Sequence, residues 1–192
     1  DLAFRKNSSA LALSRFDEKV VLAFYDELRP SKGMALKPSE VTDSFGKACM
    51  DYRATSMMGD RIYADTAHDN LSKIKDPAGR TVAYEECDMS RTAQTNYFTQ
   101  FLELMSEGRW EGPNDPRLIS QLEGTRKKKG IDGKINVVLP TDGAAHGDVL
   151  MAVVLSAIQV PADGASDEEG STAEIPNDES AFRWDIEDRG FG

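Results

Sequence analysis

Apolar residues along this chain change their spacing several times, and each change marks an element. Ser9 to Phe16 (SALALSRF) and Val20 to Leu28 (VVLAFYDEL) are apolar-rich runs separated by the polar DEK, which predicts two strands joined as a β-hairpin. After Pro38, which suits a first helical position, Val41, Phe45, Ala48, Cys49 and Tyr52 recur at three- and four-residue spacing. An amphipathic helix packed on a sheet is expected there. TSMMGD predicts a short strand that stops at Gly59-Asp60, Ala64 to Ile74 a helix, and Thr81 to Cys87 a further strand. Ser90 is a suitable N-cap for a helix with Tyr97, Phe98, Phe101, Leu102 and Met105 inward, ending near Gly108. Asn114-Asp115-Pro116 starts another, with Leu118, Ile119 and Leu122 inward, and Lys134 to Leu139 (KINVVL) reads as a strand. From Asp148 the run DVLMAVVLSAIQV is apolar on nearly every side and predicts a helix buried in the interior or against the sheet.

Hairpin strands followed by strands that alternate with helices define an α/β class: a mixed β-sheet flanked by helices on both faces. No repeat period is visible, which argues against a solenoid. A chain of 192 residues holds one ordinary domain, expected over residues 1–160. Beyond Val160 the composition turns to Asp, Glu, Gly, Ser, Ala and Pro, so 161–192 is expected to be an acidic tail, with Ala162 to about Ser180 disordered. The closing AFRWDIEDRGFG carries Phe182, Trp184, Ile186 and Phe191, which suit either docking on a surface or an unstructured end.

Charge alters the picture only once it is located. The net charge is −10, but ten acidic residues against two Arg from Pro161 to Gly192 account for −8 of it. The other 160 residues carry 23 acidic and 21 basic groups, so the body is nearly neutral and a nucleic-acid partner is not excluded. Hydrophobic residues at 40% and charged ones at 29% fit a globular protein rather than a disordered or membrane chain. No apolar run is long enough for a membrane helix and no signal-peptide layout opens the sequence, so a cytosolic protein is expected.

Cys49 and Cys87 lack the close Cys and His neighbours of a zinc site, and reading them as buried reduced thiols fits better. With His68 and His146 the only histidines, metal chemistry must rest on carboxylates, which favour hard cations such as Mg²⁺ or Mn²⁺. Three aspartates stand out by position: Asp1 before the hairpin, Asp60 ending a short strand, and Asp148 opening the apolar helix. Each also has a plainer reading, as an exposed terminal residue, a turn aspartate after glycine and a helix N-cap respectively. Arg126-Lys127-Lys128-Lys129 is the one dense basic run, readable as a solvated helix end or as a contact to a DNA backbone. No phosphate-binding G-x-x-x-x-G-K-[ST] loop is present, so the chain is not itself an ATPase.

Three strings, GDRIYAD (59–65), DPRLISQLEG (115–124) and AHGDVLMAVVLSA (145–157), resemble in order and spacing the nuclease-domain motifs of phage terminase large subunits. The resemblance spans about Asp1 to Val160 and implies a ribonuclease-H-like fold. It implies that Asp1, Asp60 and Asp148 are catalytic metal ligands for two divalent cations, Mg²⁺ or Mn²⁺, with Asp65, Asp142 and His146 as further candidates. Members of that family place an apolar strand before the first Asp, at which this sequence starts, so the central strand is expected to be truncated or renumbered. Their final helix also often carries a second acidic residue, whereas here Asp148 is the only one in it.

The function so implied is endonucleolytic cutting of concatemeric double-stranded DNA during genome packaging. Arg126 to Lys129 and Arg61 would then contact DNA, with Arg5, Lys6 and Arg61 as the other available path. The implied partners are an ATPase motor domain, a portal and a small terminase subunit, in the host cytoplasm and without a membrane. A Holliday-junction resolvase or transposase-like nuclease on the same carboxylates is the second enzyme reading, tested by preference for a four-way junction. A non-catalytic docking module, in which the aspartates are caps and the acidic tail binds a partner, is the third. It would show no Mn²⁺-dependent stabilisation.

Overall fold

Period-two alternation in the first hairpin divides its side chains between two apolar clusters, and so determines how the rest of the chain packs. In a computed structural model, which describes residues 8–31, 34–130, 135–140 and 147–161, strands β1 (Ser9–Asp17) and β2 (Lys19–Leu28) pair antiparallel. Glu18 makes the turn at φ 59°. Ala10 and Ala12 of β1 enter the cluster filled by Val149 to Leu155, while Leu11 and Leu13 enter a second cluster with Phe45. The register runs from Leu13↔Phe24 to Ser14↔Leu22, which leaves Ala23 as an extra residue in β2. Such a bulge reverses the facing of the strand beyond it. Val20 and Leu22 therefore face the first cluster before the bulge, and Tyr25 faces it after.

The two-residue strand β5 (Trp110–Glu111) pairs parallel to Val20 and Val21 of β2, so the order β1-β2-β5 makes a mixed sheet. A second, parallel pair is formed by β3 (Ser56–Asp60) and β4 (Ala83–Cys87), joined through a 3-10 turn at Arg61–Tyr63 and helix α2 (Ala64–Leu71). Strands β1 and β3 each end their sheet among the described residues, and both line a cavity of about 550 Å³ walled also by Phe45, Ala152 and Leu155. Helix α1 (Pro38–Asp51) lies in the cluster with α2; α3 (Arg91–Ser106), α4 (Pro116–Gly124) and α5 (Asp148–Gln159) lie in the other. Helix α5 is buried from Val149 to Leu155, as its unbroken apolar run predicts.

The departures from the pattern-based expectation are local. Tyr52 falls just past α1, is 46% exposed and lays its ring against Phe24 with centroids 5.1 Å apart. In α3 the buried stripe is Phe98, Phe101 and Leu104, leaving Leu102 and Met105 exposed. In α4 the inward positions are Leu118 and Gln121, with Ile119 exposed. Helix α2 stops at Leu71 rather than Ile74. The basic run is not a helix end. It forms strand β6 (Arg126–Lys129), fully exposed and antiparallel to β7 (Ile135–Val138). The expected acidic tail lies outside the described residues, apart from Pro161. Among the described residues no helix is long and apolar enough to cross a membrane.

Candidate functional site

Asp60 and Asp148 sit where an element ends and another begins, and in both cases the residue before them is a glycine with no room for a side chain. A Cβ on Gly59 would stand 2.4 Å from the Tyr84 hydroxyl. That hydroxyl donates to the Asp60 carbonyl at 2.9 Å, so the close approach across β3 and β4 fixes the backbone at Asp60. The Asp60 carboxylate is half-buried and accepts from the Ile62 amide at 3.1 Å, capping the 3-10 turn. The turn-aspartate reading and the ligand reading are thus compatible, since a carboxylate that makes a cap through one oxygen can ligate through the other.

Gly147 is the N-cap of α5, and a Cβ there would stand 2.7 Å from the Leu139 Cβ. Asp148 is therefore the first residue of the helix rather than its cap, and it places its charge at the positive end of the helix dipole. Its Oδ2 accepts from the Ser8 hydroxyl at 2.5 Å, a contact across 140 residues of sequence. The amide of Leu150 in the same first turn donates to Oε1 of Gln121 at 2.9 Å. Gly147 has no side chain with which to cap, so this first-turn amide is satisfied from another helix.

Around Asp148 the chain builds a polar network from β2 and α4. Asp115 caps α4 by accepting from the amides of Arg117 and Leu118, both at 2.9 Å. Arg117 pairs with the buried Glu27, which also accepts from Arg29 at 3.1 Å. Burial pushes the Arg117 pKa down, while the neighbouring Tyr25 and Asp148 push it up. Tyr25 is raised to about 12, first by burial and then by its hydrogen bond to Asp115. Hydrophobic spacing singles out none of Ser8, Glu27, Arg117 or Gln121, although Arg117 and Gln121 fall within the DPRLISQLEG string. In that spacing Gln121 alone leaves a trace, as a polar residue three positions after the inward Leu118.

Of the other candidates, Asp65 is exposed in the first turn of α2 and Arg61 is exposed beside Asp60. Arg61 lies near Asp88, whose carboxyl is held below its ordinary pKa mainly by the Ser90 amide and hydroxyl, with a smaller contribution from the Arg61 charge. His68 stands edge-on to Tyr84, with ring centroids 5.6 Å apart. Arg126, Lys127, Lys128 and Lys129 are all exposed on β6. Asp1, Asp142, His146, Arg5 and Lys6 lie outside the described residues. Among the described residues no three His, Cys, Asp or Glu side chains gather as a metal cluster.

As donor types alone, the carboxylates of Asp60 and Asp148 suit a hard divalent cation. Asp60 and Asp148 offer carboxylate oxygens from separate elements, whereas both thiols, which favour softer ions, are buried. Burial raises the Cys49 thiol to about 12 and also raises that of Cys87.

A mixed sheet with helices packed on both faces is an α/β arrangement, and its likeness to solved structures makes it of the ribonuclease-H-like class. Within that class, the fold is that of the nuclease domains of phage large terminases. The large terminase nuclease from thermophilic phage G20c with bound magnesium superposes with a TM-score of 0.60 at 18% identity, covering 84% of this chain and 79% of that one. The HK97 bacteriophage large terminase gives a TM-score of 0.62 at 18% identity over 80% of this chain and 36% of that longer one. The Thermus phage P74-26 large terminase nuclease domain gives 0.54 at 17% identity, over 82% of each chain. No protein-family model and no curated protein matches the sequence.

Proposed function

We propose that this chain is a divalent-metal-dependent endodeoxyribonuclease that cuts concatemeric double-stranded DNA during viral genome packaging. The observation that carries the reading is the placement of Asp60 at the end of β3 and Asp148 at the start of the buried α5. This occurs in a fold shared with a nuclease domain that binds magnesium. Asp60 and Asp148, with Asp1, would hold two Mg²⁺ or Mn²⁺ ions, and Asp65, Asp142 and His146 are the further candidates.

Such a metal pair, when bound, activates water and stabilises the charge that builds on a phosphodiester. The chain's own part is to hold those ions and to bind the duplex. The exposed Arg126, Lys127, Lys128, Lys129 and Arg61 are the groups for phosphate contact, and phosphate contacts carry little sequence information. An ATPase motor domain, a portal and a small terminase subunit are the proposed partners in the host cytoplasm.

Incubation with supercoiled plasmid in Mn²⁺, in Mg²⁺ and in EDTA tests this reading. Nicked and linear products with a metal, and none with EDTA, are expected. An intact plasmid under all three conditions overturns it.

A further inference from the structure

The first turn of α5 is held from outside the helix at two points, and neither is explained by core packing alone. Gln121 is fully buried, and its Oε1 takes the Leu150 amide. Its Nε2 has no acceptor among the described residues, and an unmet buried donor is destabilising. An apolar side chain of similar size would fill the same space without that cost. The gain from the amide therefore lies in its oxygen, which satisfies a helix terminus that Gly147 cannot cap. Ser8, only 7% exposed, fixes the Asp148 carboxylate itself by donating to Oδ2.

We infer that Gln121 and Ser8 are positioning residues that together set the orientation of Asp148 for metal binding, Gln121 through the backbone of α5 and Ser8 through the carboxylate. The inference rests on the nuclease reading. Residues that orient a ligand from behind typically change metal affinity by about 10- to 100-fold when removed. Ser8 holds Oδ2 of Asp148 and so restricts rotation of the carboxyl group. Gln121 ties the height of the helix start to α4, whose own start is fixed by Asp115.

The test compares wild-type protein with Gln121→Met and Ser8→Ala. Mn²⁺ affinity is measured by calorimetry without DNA, thermal melting is recorded without metal, and plasmid nicking is followed across Mn²⁺ concentration. Both variants are expected to bind Mn²⁺ about 10-fold more weakly. Their half-saturating Mn²⁺ for nicking should rise to match, with the rate at saturating metal close to wild type. Lower melting temperatures with unchanged Mn²⁺ affinity would show a purely structural role and overturn the inference. If Gln121→Met does not fold, Ser8→Ala decides, because removing its hydroxyl leaves the packing nearly intact. Wild-type protein that neither binds Mn²⁺ nor nicks DNA would overturn the nuclease reading, and this inference with it. Wild-type binding with both variants unchanged overturns this inference alone.

Discussion

At Asp60 a single side chain serves the backbone and, in the proposed function, a cation. Asparagine keeps an oxygen that accepts from the Ile62 amide, so Asp60→Asn should preserve the 3-10 turn and keep stability, read by thermal melting, to within about 0.5 kcal/mol. The neutral amide is a poor ligand for a hard dication, so nicking should fall by at least about two orders of magnitude. Near wild-type nicking by Asp60→Asn would remove this residue from the metal site. Cys49 gives a second residue-level expectation, because burial holds its thiol at about 12 against an ordinary 9.0. The folded state keeps that proton where the unfolded chain loses it, so stability is fully present below pH 9 and declines as pH rises towards 12. Tyr25, raised from 10.0 to about 12, adds loss in the same direction above pH 10. Melting temperatures between pH 8 and about 11 check this, and Cys49→Ala should flatten the decline; an equal slope in that variant would refute it. The positions of Asp60 at a strand end and Asp148 at a helix start were legible in the sequence, because each stands at a break in apolar patterning. Ser8 was not, since no periodicity links residues 140 apart.

Elements were most legible where one spacing persisted. The hairpin, α1, β3, β4 and the largely apolar α5 follow their patterns closely. The inward face of α3 did not, because Leu102 and Leu104 compete for it and only packing into the shared cluster decides that Leu104 is buried. The bulge at Ala23 was invisible for a related reason: the run VVLAF is apolar on both phases, so nothing in it marks where the facing reverses. Strand β6 escaped notice because four consecutive cations carry neither spacing. It is a strand only by pairing with β7, which is anchored to α3 through the Val137 amide donating to the Thr95 hydroxyl at 3.1 Å. All four cations of β6 are exposed, and in the proposed function they contact a DNA backbone. Replacing Lys127, Lys128 and Lys129 with Ala should therefore flatten the log–log salt dependence of DNA binding by roughly two to three units, at about 0.9 for each phosphate no longer neutralised. Binding titrations over a range of salt, in Ca²⁺ to suppress cutting, measure the slope. Mn²⁺ affinity should stay the same. An unchanged slope would place the DNA path elsewhere, past Arg5, Lys6 and Arg61.

For the whole molecule the distribution of charge matters more than its total. A net of −10 would repel a polyanion if spread evenly, but −8 of it lies from Pro161 to Gly192, after α5 has ended at Gln159. The remaining body is nearly neutral, and four of its cations stand exposed side by side on β6. An acidic segment attached to such a body competes with DNA for that basic surface or repels the duplex at a distance. Deleting 162–192 should therefore leave the melting temperature unchanged and keep or raise DNA affinity and nicking. Any gain should be largest at low salt and shrink as ionic strength rises, because the screening length falls from about 30 Å at 0.01 M to about 10 Å at 0.1 M. Thermal melting and DNA titrations of the truncated and full chains, at both ionic strengths, make the comparison. A lower melting temperature would mean that the tail packs against the body and that the domain boundary near Val160 is wrong. Weaker DNA binding with melting unchanged would mean that Arg183, Arg189 or the aromatic residues around them take part in holding the duplex.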